Sequence, residues 1–294
     1  MRPNDYPAPL SASSDVAVAT SRDRINFRIF ILYRIAVAAL QVTIPQDTIP
    51  KAHMLTKLHG IVLQCIRHND STDIVSLYTE QRGRVALLVR MGSSRSARLR
   101  RARLSPLAIV ATEVNFRESR ELQFSGEIAS PYPWRNLYFD PMKSSMTIFI
   151  GEFLNRLLRE SDSDPAMWRF LVNAIHSLDT LQRGMANYHL AFLIRLLHFC
   201  GIEPDMTTWQ ADRYFDMRAG TLTDMPPLHR DVLLPEDVHH LPVLMRMNFR
   251  NLHLFRLNVD QRRRLLNILL HYYSLHLPVG DDLRSVDVLR TLFS

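Results

Sequence analysis

The period of the hydrophobic pattern changes near residue 131, and this change constrains the fold of the 294-residue chain more than any other feature. Before it, short runs rich in β-branched and aromatic residues alternate as strands do. After it, apolar residues recur every three or four positions, as on one face of a helix. Pro131-Tyr132-Pro133 separates the two regions. The pattern therefore predicts an α+β protein of two domains, with a β-rich domain at residues 54–132 and an all-α helical domain at residues 133–294.

Five short strands are predicted in the β-rich region, at residues 58–66, 73–79, 85–89, 107–116 and 122–128. Asn69-Asp70-Ser71 has the chemistry of a turn between the first two strands. Gly83, which can adopt a positive φ, closes a hairpin between the second and third. Five short strands with one clear hairpin fit a small closed barrel such as an OB-fold. Other small barrels and sandwiches show the same pattern.

Two helix starts in the second region are marked by aspartate followed by proline, at Asp140-Pro141 and Asp164-Pro165. Aspartate caps the free N–H groups of a helix, and proline is tolerated at the first helical position. A third helix ends at Gly201, a fourth is predicted at residues 260–275, and residues 203–235 are predicted to be a loop-rich insertion. The apolar stripes of the four helices are Met146, Phe149, Ile150, Phe153, Leu154, Leu157 and Leu158; Trp168, Leu171, Val172, Ile175 and Leu178; Phe192, Leu193, Leu196 and Leu197; and Leu265, Leu266, Leu269 and Leu270.

Residues 1–53 differ in character from the rest of the chain. They contain an apolar run at residues 25–40 that has the look of a signal or an anchor. Arg28 and Arg34 interrupt this run, which is shorter than the roughly 20 apolar residues of a spanning helix. No clear small-residue cleavage signature follows before Pro45. We expect Met54 to be the true start and residues 1–53 to be a non-native or disordered extension.

A run of arginines between residues 82 and 103 contains no acidic residue, in a chain whose formal net charge is +7. Solvated surfaces usually mix charges of both signs. A planar guanidinium can donate two hydrogen bonds to one phosphate, so the run predicts a nucleic-acid-binding surface. The alternatives are an accidental basic loop and a loop that binds an acidic protein. The predicted DNA-binding residues are Arg82, Arg84, Arg90, Arg95, Arg98, Arg100, Arg101 and Arg103.

Three aromatic residues, Tyr78, Phe116 and Phe124, are interleaved with the arginine run. On the outer face of a barrel they would stack on nucleic-acid bases. In a small barrel most aromatic side chains fill the core instead. Alternation along the strands does not decide between the two roles.

Motifs for catalysis are absent from the sequence. There is no glycine-rich phosphate loop ending in Lys-Ser or Lys-Thr, no nucleophile elbow, and no metal-binding spacing among the twelve histidines. Cys65 and Cys200 are too few for a four-cysteine zinc site or a disulfide framework, which favours a reducing cytoplasm. We therefore predict a protein that is not an enzyme and binds neither a cofactor nor a metal.

The run from Leu58 to Val89 resembles the amino-terminal signature of the RecO family of DNA repair proteins. An Ile-Val-Leu strand core leads to an Asn-Asp-Ser turn, then to a Tyr-Thr strand end and a Gly-Arg hairpin. Residues 117–122, 192–201 and 283–292 extend the resemblance, which covers essentially all of residues 54–294. RecO proteins join an OB-fold to a helical domain, in agreement with the pattern above.

The resemblance implies a mediator of DNA repair and homologous recombination. Such a protein binds single- and double-stranded DNA, anneals complementary strands and contacts single-strand-binding protein. Together with RecR it helps load RecA at gaps. The implied location is the cytoplasm, in association with the nucleoid and not with a membrane. The alternative function is a protein–protein adaptor whose basic face binds acidic partner tails.

Many RecO proteins carry a four-cysteine zinc module in the helical domain. Residues 203–235, where that module would fall, contain no cysteine. The segment Tyr214–Gly220 is nevertheless similar to the sequence that accompanies the module. The chain departs from the family pattern here, which puts a zinc function in doubt.

Overall fold

The computed structural model describes residues 55–91, 100–210, 212–279 and 283–292. A five-stranded closed barrel comes first, with strand order β1-β2-β3-β5-β4. β3 and β5 are parallel to each other, and the other neighbours are antiparallel. The predicted OB-type barrel and the α+β class are confirmed. The strands are β1 Leu55–Arg67, β2 Thr72–Thr79, β3 Gly83–Arg90, β4 Ile109–Asn115 and β5 Leu122–Ala129.

Side-chain alternation along these strands fills the barrel with aliphatic residues, because successive side chains of a strand point to opposite faces. Val75 and Leu77 on β2 and Leu87 on β3 are fully buried, and Leu104 closes the interior from the segment that follows β3. The barrel core consists of Leu58, Val62, Val75, Leu77, Val85, Leu87, Val89, Met91, Leu104, Ala108, Val110 and Val114.

The β2–β3 hairpin turns at Gly83, as predicted, with a φ of 65°. A Cβ at this position would lie 2.2 Å from the carbonyl oxygen of Ser161, so only glycine fits. The next residue, Arg84, donates its backbone N–H to the same oxygen at 2.8 Å. The hairpin is therefore fixed against the loop that joins the first two helices.

Helices are the main regular structure in the described chain beyond the barrel. Asp140 and Asp164 cap the first two, each accepting hydrogen bonds from two backbone N–H groups, as the Asp-Pro motifs predict. Asn258 forms a capping box with Gln261 at the start of the long helix near the C-terminus. The helices are α1 Pro141–Leu157, α2 Pro165–Thr180, α3 Tyr188–Phe199, α4 Pro235–Val238, α5 Leu241–Arg246, α6 Val259–His276 and α7 Ser285–Leu292.

The barrel and the helices share a hydrophobic core, and Tyr78 is central to their contact. Its ring is 1% exposed and lies 6.5 Å from the ring of Trp168. Its hydroxyl accepts a hydrogen bond of 3.2 Å from the backbone N–H of Asp164. Ile61 and Leu63 of β1 belong to the same cluster as the α1 side chains. Tyr78 thus has a packing role, as most aromatic residues of a small barrel do.

Residues 203–235 contain a small three-stranded sheet, in which the strand at residues 214–216 lies between those at residues 221–223 and 232–233, where the sequence predicts only loops. The sheet is tied to α6 through Asp231, whose carboxylate lies 2.6 Å from Nε of Arg218 and 2.9 Å from Nε2 of His271. These hydrogen bonds lower the pKa of Asp231. The strands are β6 Tyr214–Asp216, β7 Thr221–Thr223 and β8 Val232–Leu233.

A four-cysteine zinc module does not fit this region. The side chains that hold the small sheet include the carboxylate of Asp231 and the guanidinium and imidazole that each bond to it. Among the described residues, no three or more His, Cys, Asp or Glu side chains are grouped to hold a metal ion.

The expected extension, residues 1–53, lies outside the described residues, as does its apolar run. Within the described ranges, no helix has the length and apolar character needed to cross a membrane.

Candidate nucleic-acid interface

The outer face of β2, β3 and β5 carries an apolar row that ends in an exposed phenylalanine. Ile74 on β2 pairs with Leu88 on β3, and Leu88 pairs with Phe124 on β5. Residues directly opposite each other in a sheet point to the same face, so the three side chains lie side by side. Ile74 and Leu88 are half-buried, whereas Phe124 is 54% exposed. This face therefore presents one aromatic ring and two partly exposed aliphatic side chains to solvent.

Exposed arginines occur on β3 and on the segment that enters β4. Arg90 is two residues beyond Leu88 on the same face of β3, Arg100 is the first residue of a helical turn at residues 100–102, and Arg103 directly follows this turn. All three are exposed. No hydrogen bond or ion pair of their guanidinium groups to another described residue is found. Among the members of the predicted set that the structure describes, these three are exposed and make no such contact.

Arg101 has a different environment from its neighbours. Its Nε lies 2.6 Å from one carboxylate oxygen of Asp73, and its Nη2 lies 3.1 Å from the other. Asp73 is on the inner side of β2 and is 1% exposed. Hydrogen bonding to Asp73 raises the pKa of Arg101 above its usual value. Arg101 therefore neutralises a buried acid within the protein.

Arg82 is also engaged within the chain. Its Nη1 lies 2.5 Å from the carboxylate of Glu118, and its guanidinium carbon lies 4.2 Å from the centre of the Phe116 ring. A guanidinium over an aromatic face is a cation–π contact. Phe116 is half-buried, and an arginine of the protein itself lies over this ring, for which the sequence left stacking and packing roles open.

Arg84 points toward the helices and not toward solvent. It donates to the backbone oxygen of Asn155 at 3.3 Å and to its side-chain oxygen at 2.8 Å. Burial, with a smaller contribution from Arg159, lowers the pKa of Arg84. This side chain connects β3 to α1. The remaining predicted residues, Arg95 and Arg98, lie outside the described residues.

Two exposed arginines that were not among the predicted residues, Arg117 and Arg120, lie on the β4–β5 loop. Gln123, which is 2% exposed, accepts from the backbone N–H of Arg117 and donates to the backbone oxygens of Arg117 and Arg120 at 2.8 and 2.6 Å. The guanidinium carbon of Arg120 lies 5.7 Å from the centre of the Phe124 ring. A buried glutamine thus holds the backbone of the loop that carries both arginines, and it is Arg120 whose cation lies beside the exposed phenylalanine.

We call the outer face of β2, β3 and β5, together with these flanking arginines, the barrel surface. Its exposed or half-buried members are Ile74, Leu88, Arg90, Arg100, Arg103, Arg117, Arg120, Leu122 and Phe124. Guanidinium groups at its edges suit phosphates, and the aromatic and aliphatic centre suits the faces of bases.

A second cationic site lies among the helices. Phe170 of α2 stacks on Phe199 of α3 with ring centres 4.5 Å apart, and on Phe249 at 6.2 Å. These rings line a cleft of about 670 Å³. Three exposed arginines also line it, and no acidic side chain is found among its described lining residues. We call this site the aromatic cleft; its arginines are Arg169, Arg195 and Arg250.

The fold defines a class of protein, an OB-type barrel followed by a helical region. Residues 54–130 match the family model described as "Recombination protein O N terminal", and residues 138–285 match "Recombination protein O C terminal". The chain therefore belongs to the RecO family of DNA repair proteins, and its general role is in recombinational DNA repair.

Curated relatives agree with this assignment. The "DNA repair protein RecO" of Bacteroides fragilis is 39% identical over 241 residues, which are 82% of this chain and 100% of that protein. The protein of the same name from Phocaeicola vulgatus is 38% identical over 241 residues, with the same coverage. That from Porphyromonas gingivalis is 33% identical over 244 residues, again 82% of this chain and 100% of the relative. The resemblance stated from the residues is confirmed.

Proposed function

We propose that this chain is a mediator of homologous recombination that binds single- and double-stranded DNA and anneals complementary strands. With RecR, it helps load RecA onto gaps covered by single-strand-binding protein. The observation that carries the proposal is the barrel surface, which combines exposed arginines with an exposed phenylalanine. The predicted DNA-binding residues that keep this role are Arg90, Arg95, Arg98, Arg100 and Arg103, whereas Arg82, Arg84 and Arg101 are assigned to contacts within the protein.

Single-stranded DNA fits the barrel surface in two ways. Phosphates pair with the guanidinium groups at its edges, each contact releasing a condensed counterion. An unstacked base lies on the Phe124 ring, where stacking contributes roughly 1–3 kcal/mol per base. Arg120, already beside this ring, contributes a cation near the base. Double-stranded DNA uses the phosphate contacts alone, because its bases are stacked on one another.

Annealing follows from neutralised charge. Two complementary strands repel each other through their phosphates, and arginines that engage both strands lower this repulsion so that the bases can pair. The reaction makes and breaks no covalent bond and requires no nucleotide or metal. We therefore infer a role without catalysis, carried out in the cytoplasm at the nucleoid.

The aromatic cleft supports a second function, the capture of an acidic partner tail. Its rings suit an apolar or aromatic side chain, and the arginines at its rim suit carboxylates, which they bind with charge-assisted hydrogen bonds. The tail of single-strand-binding protein is the partner we propose for it. DNA binding and tail binding would then occupy different surfaces of one protein.

Two matched triple variants test both proposals. In Arg90→Ala/Arg100→Ala/Arg103→Ala we expect a large loss of affinity for a labelled single-stranded oligonucleotide and unchanged binding of an acidic peptide that ends in an aromatic residue. The logarithm of the binding constant falls by about 0.7 per single-strand phosphate contact for each tenfold rise in salt. At about 0.1 M salt, relative to 1 M, each contact therefore contributes about fivefold in affinity, and three contacts contribute roughly 100-fold.

The second variant, Arg169→Ala/Arg195→Ala/Arg250→Ala, removes the same charge from the aromatic cleft. We expect it to lose peptide binding and to keep most of its DNA affinity. Equal losses of DNA affinity in both variants would reject the barrel surface as the specific DNA site. Loss of peptide binding in the barrel variant alone would instead favour the adaptor, with the barrel surface as its docking face.

A further inference from the structure

A buried carboxylate lies at one end of the barrel, where an aliphatic side chain would be expected. Asp73 shares the inner face of β2 with Val75 and Leu77 and is 1% exposed. Its two oxygens are occupied by the forked guanidinium of Arg101. An acid buried this deeply requires such a partner, because an unpaired charge is poorly tolerated away from water.

The segment that carries Arg101 has a second anchor three residues later. Leu104 is 2% exposed and belongs to the barrel core. Its backbone N–H donates to the oxygen of Arg101 at 2.9 Å, which closes the turn. With Arg101 and Leu104 both held by the barrel, Arg100 and Arg103 are left on the exposed side of the same turn.

We infer that Asp73 and Arg101 form a positioning pair that aims Arg100 and Arg103 at nucleic-acid phosphates, and that Arg101 itself is not a phosphate ligand. This inference rests on the proposed DNA binding by the barrel surface. A phosphate that recruited Arg101 would have to leave Asp73 buried without its cation. The arginine run therefore divides into side chains that contact DNA and one that orients them.

The substitution Asp73→Asn separates this inference from simple electrostatics. It removes one negative charge and frees Arg101, so a surface that acted only through its charge would bind DNA more tightly. A positioning pair gives the opposite result. We expect the affinity for a labelled single-stranded oligonucleotide to fall, by up to about 25-fold at about 0.1 M salt if both phosphate contacts are lost. The log–log salt slope should become shallower by up to about 1.4.

Two further variants serve as references. Arg100→Ala/Arg103→Ala removes the two proposed phosphate ligands directly and should reproduce the affinity loss and the shallower slope. Asp73→Ala/Arg101→Ala keeps the net charge and leaves no buried acid, so its melting temperature should stay closer to that of the parent chain than that of Asp73→Asn. Its affinity loss should nevertheless exceed the fivefold that one missing contact explains.

The outcomes distinguish the positioning pair from the proposed function. Unchanged or tighter binding by Asp73→Asn, with a clear loss in Arg100→Ala/Arg103→Ala, overturns the positioning pair and leaves DNA binding by the barrel surface intact. If Asp73→Asn does not fold, a loss of fivefold or less in Asp73→Ala/Arg101→Ala overturns the pair. Unchanged DNA binding in Arg100→Ala/Arg103→Ala also overturns the positioning pair, because Arg100 and Arg103 would then not be phosphate ligands that need to be positioned. A parent chain that binds no DNA rejects the proposed function itself.

Discussion

Truncation of Phe124 isolates the contribution of base stacking from that of charge. The ring is 54% exposed at the end of the Ile74–Leu88–Phe124 row, so Phe124→Ala removes a solvent-facing surface and little core packing. Stacking on an aromatic side chain contributes roughly 1–3 kcal/mol per base, which is about 5- to 150-fold in affinity. We expect a loss in this range for single-stranded DNA and a much smaller one for duplex DNA.

Fluorescence anisotropy at several salt concentrations measures this effect, and the salt slope gives an internal check. Because the substitution removes no cation, the slope should stay the same while the affinity falls. Phe139→Ala is the matched control, since that ring is 81% exposed and lies outside the barrel. Single-stranded DNA affinity within twofold of the parent would refute the stacking role, as would an equal loss in the Phe139 variant.

Three further predictions concern stability. Burial lowers the pKa of His189 to about 3, against about 6.5 when unfolded, so stability should fall below about pH 6.5 by up to about 1.4 kcal/mol per unit. Urea unfolding at several pH values should show this loss in the parent and a flatter profile in His189→Gln; identical profiles would contradict it. Burial favours the neutral form of Asp179, but hydrogen bonds from the backbone N–H groups of residues 135–137 and the charge of Lys143 prevail and lower its pKa. Its stabilisation should be present above the unfolded value of about 3.9 and be lost as pH falls through the folded pKa. Asp179→Ala should cost about 3 kcal/mol at neutral pH, and a cost below about 1 kcal/mol would show that the three N–H groups find other partners. Chelation by EDTA should leave the melting temperature unchanged, and a fall would reveal a structural metal.

Local sequence patterns predict the strands of the barrel and the starts of the first two helices. Period-two alternation predicts five strands, and Asp-Pro pairs predict two helix starts that the structure places at Pro141 and Pro165. The small sheet at residues 203–235 was missed because its strands are only two or three residues long. Such strands depend on contacts with α6, which no local pattern reveals.

The candidate site was less predictable, because the role of each arginine depends on partners distant in the chain. Arg101 pairs with Asp73, 28 residues earlier, and Arg84 bonds to Asn155, 71 residues later. The arginine run contains no acidic residue, so its positive charge looks uncompensated in the sequence. In the fold, Asp73 neutralises part of that charge.

In the β4–β5 loop, by contrast, the sequence gives no sign of a cationic surface that the fold presents. Arg117 and Arg120 are interspersed with Glu118 and Glu121, so the loop reads as an ordinary mixed surface. The bonds of Gln123 hold the backbone of this loop, and the fold brings the guanidinium of Arg120 to within 5.7 Å of the centre of the Phe124 ring.

We propose that this chain pairs complementary strands by neutralising their charge. The most direct test of this activity is the annealing of two labelled complementary oligonucleotides by residues 54–294, at low and high salt, without nucleotide or metal. We expect clear acceleration at low salt that fades as salt rises and is absent in Arg90→Ala/Arg100→Ala/Arg103→Ala. No acceleration at low salt, or acceleration that is insensitive to salt and retained by the variant, would contradict it.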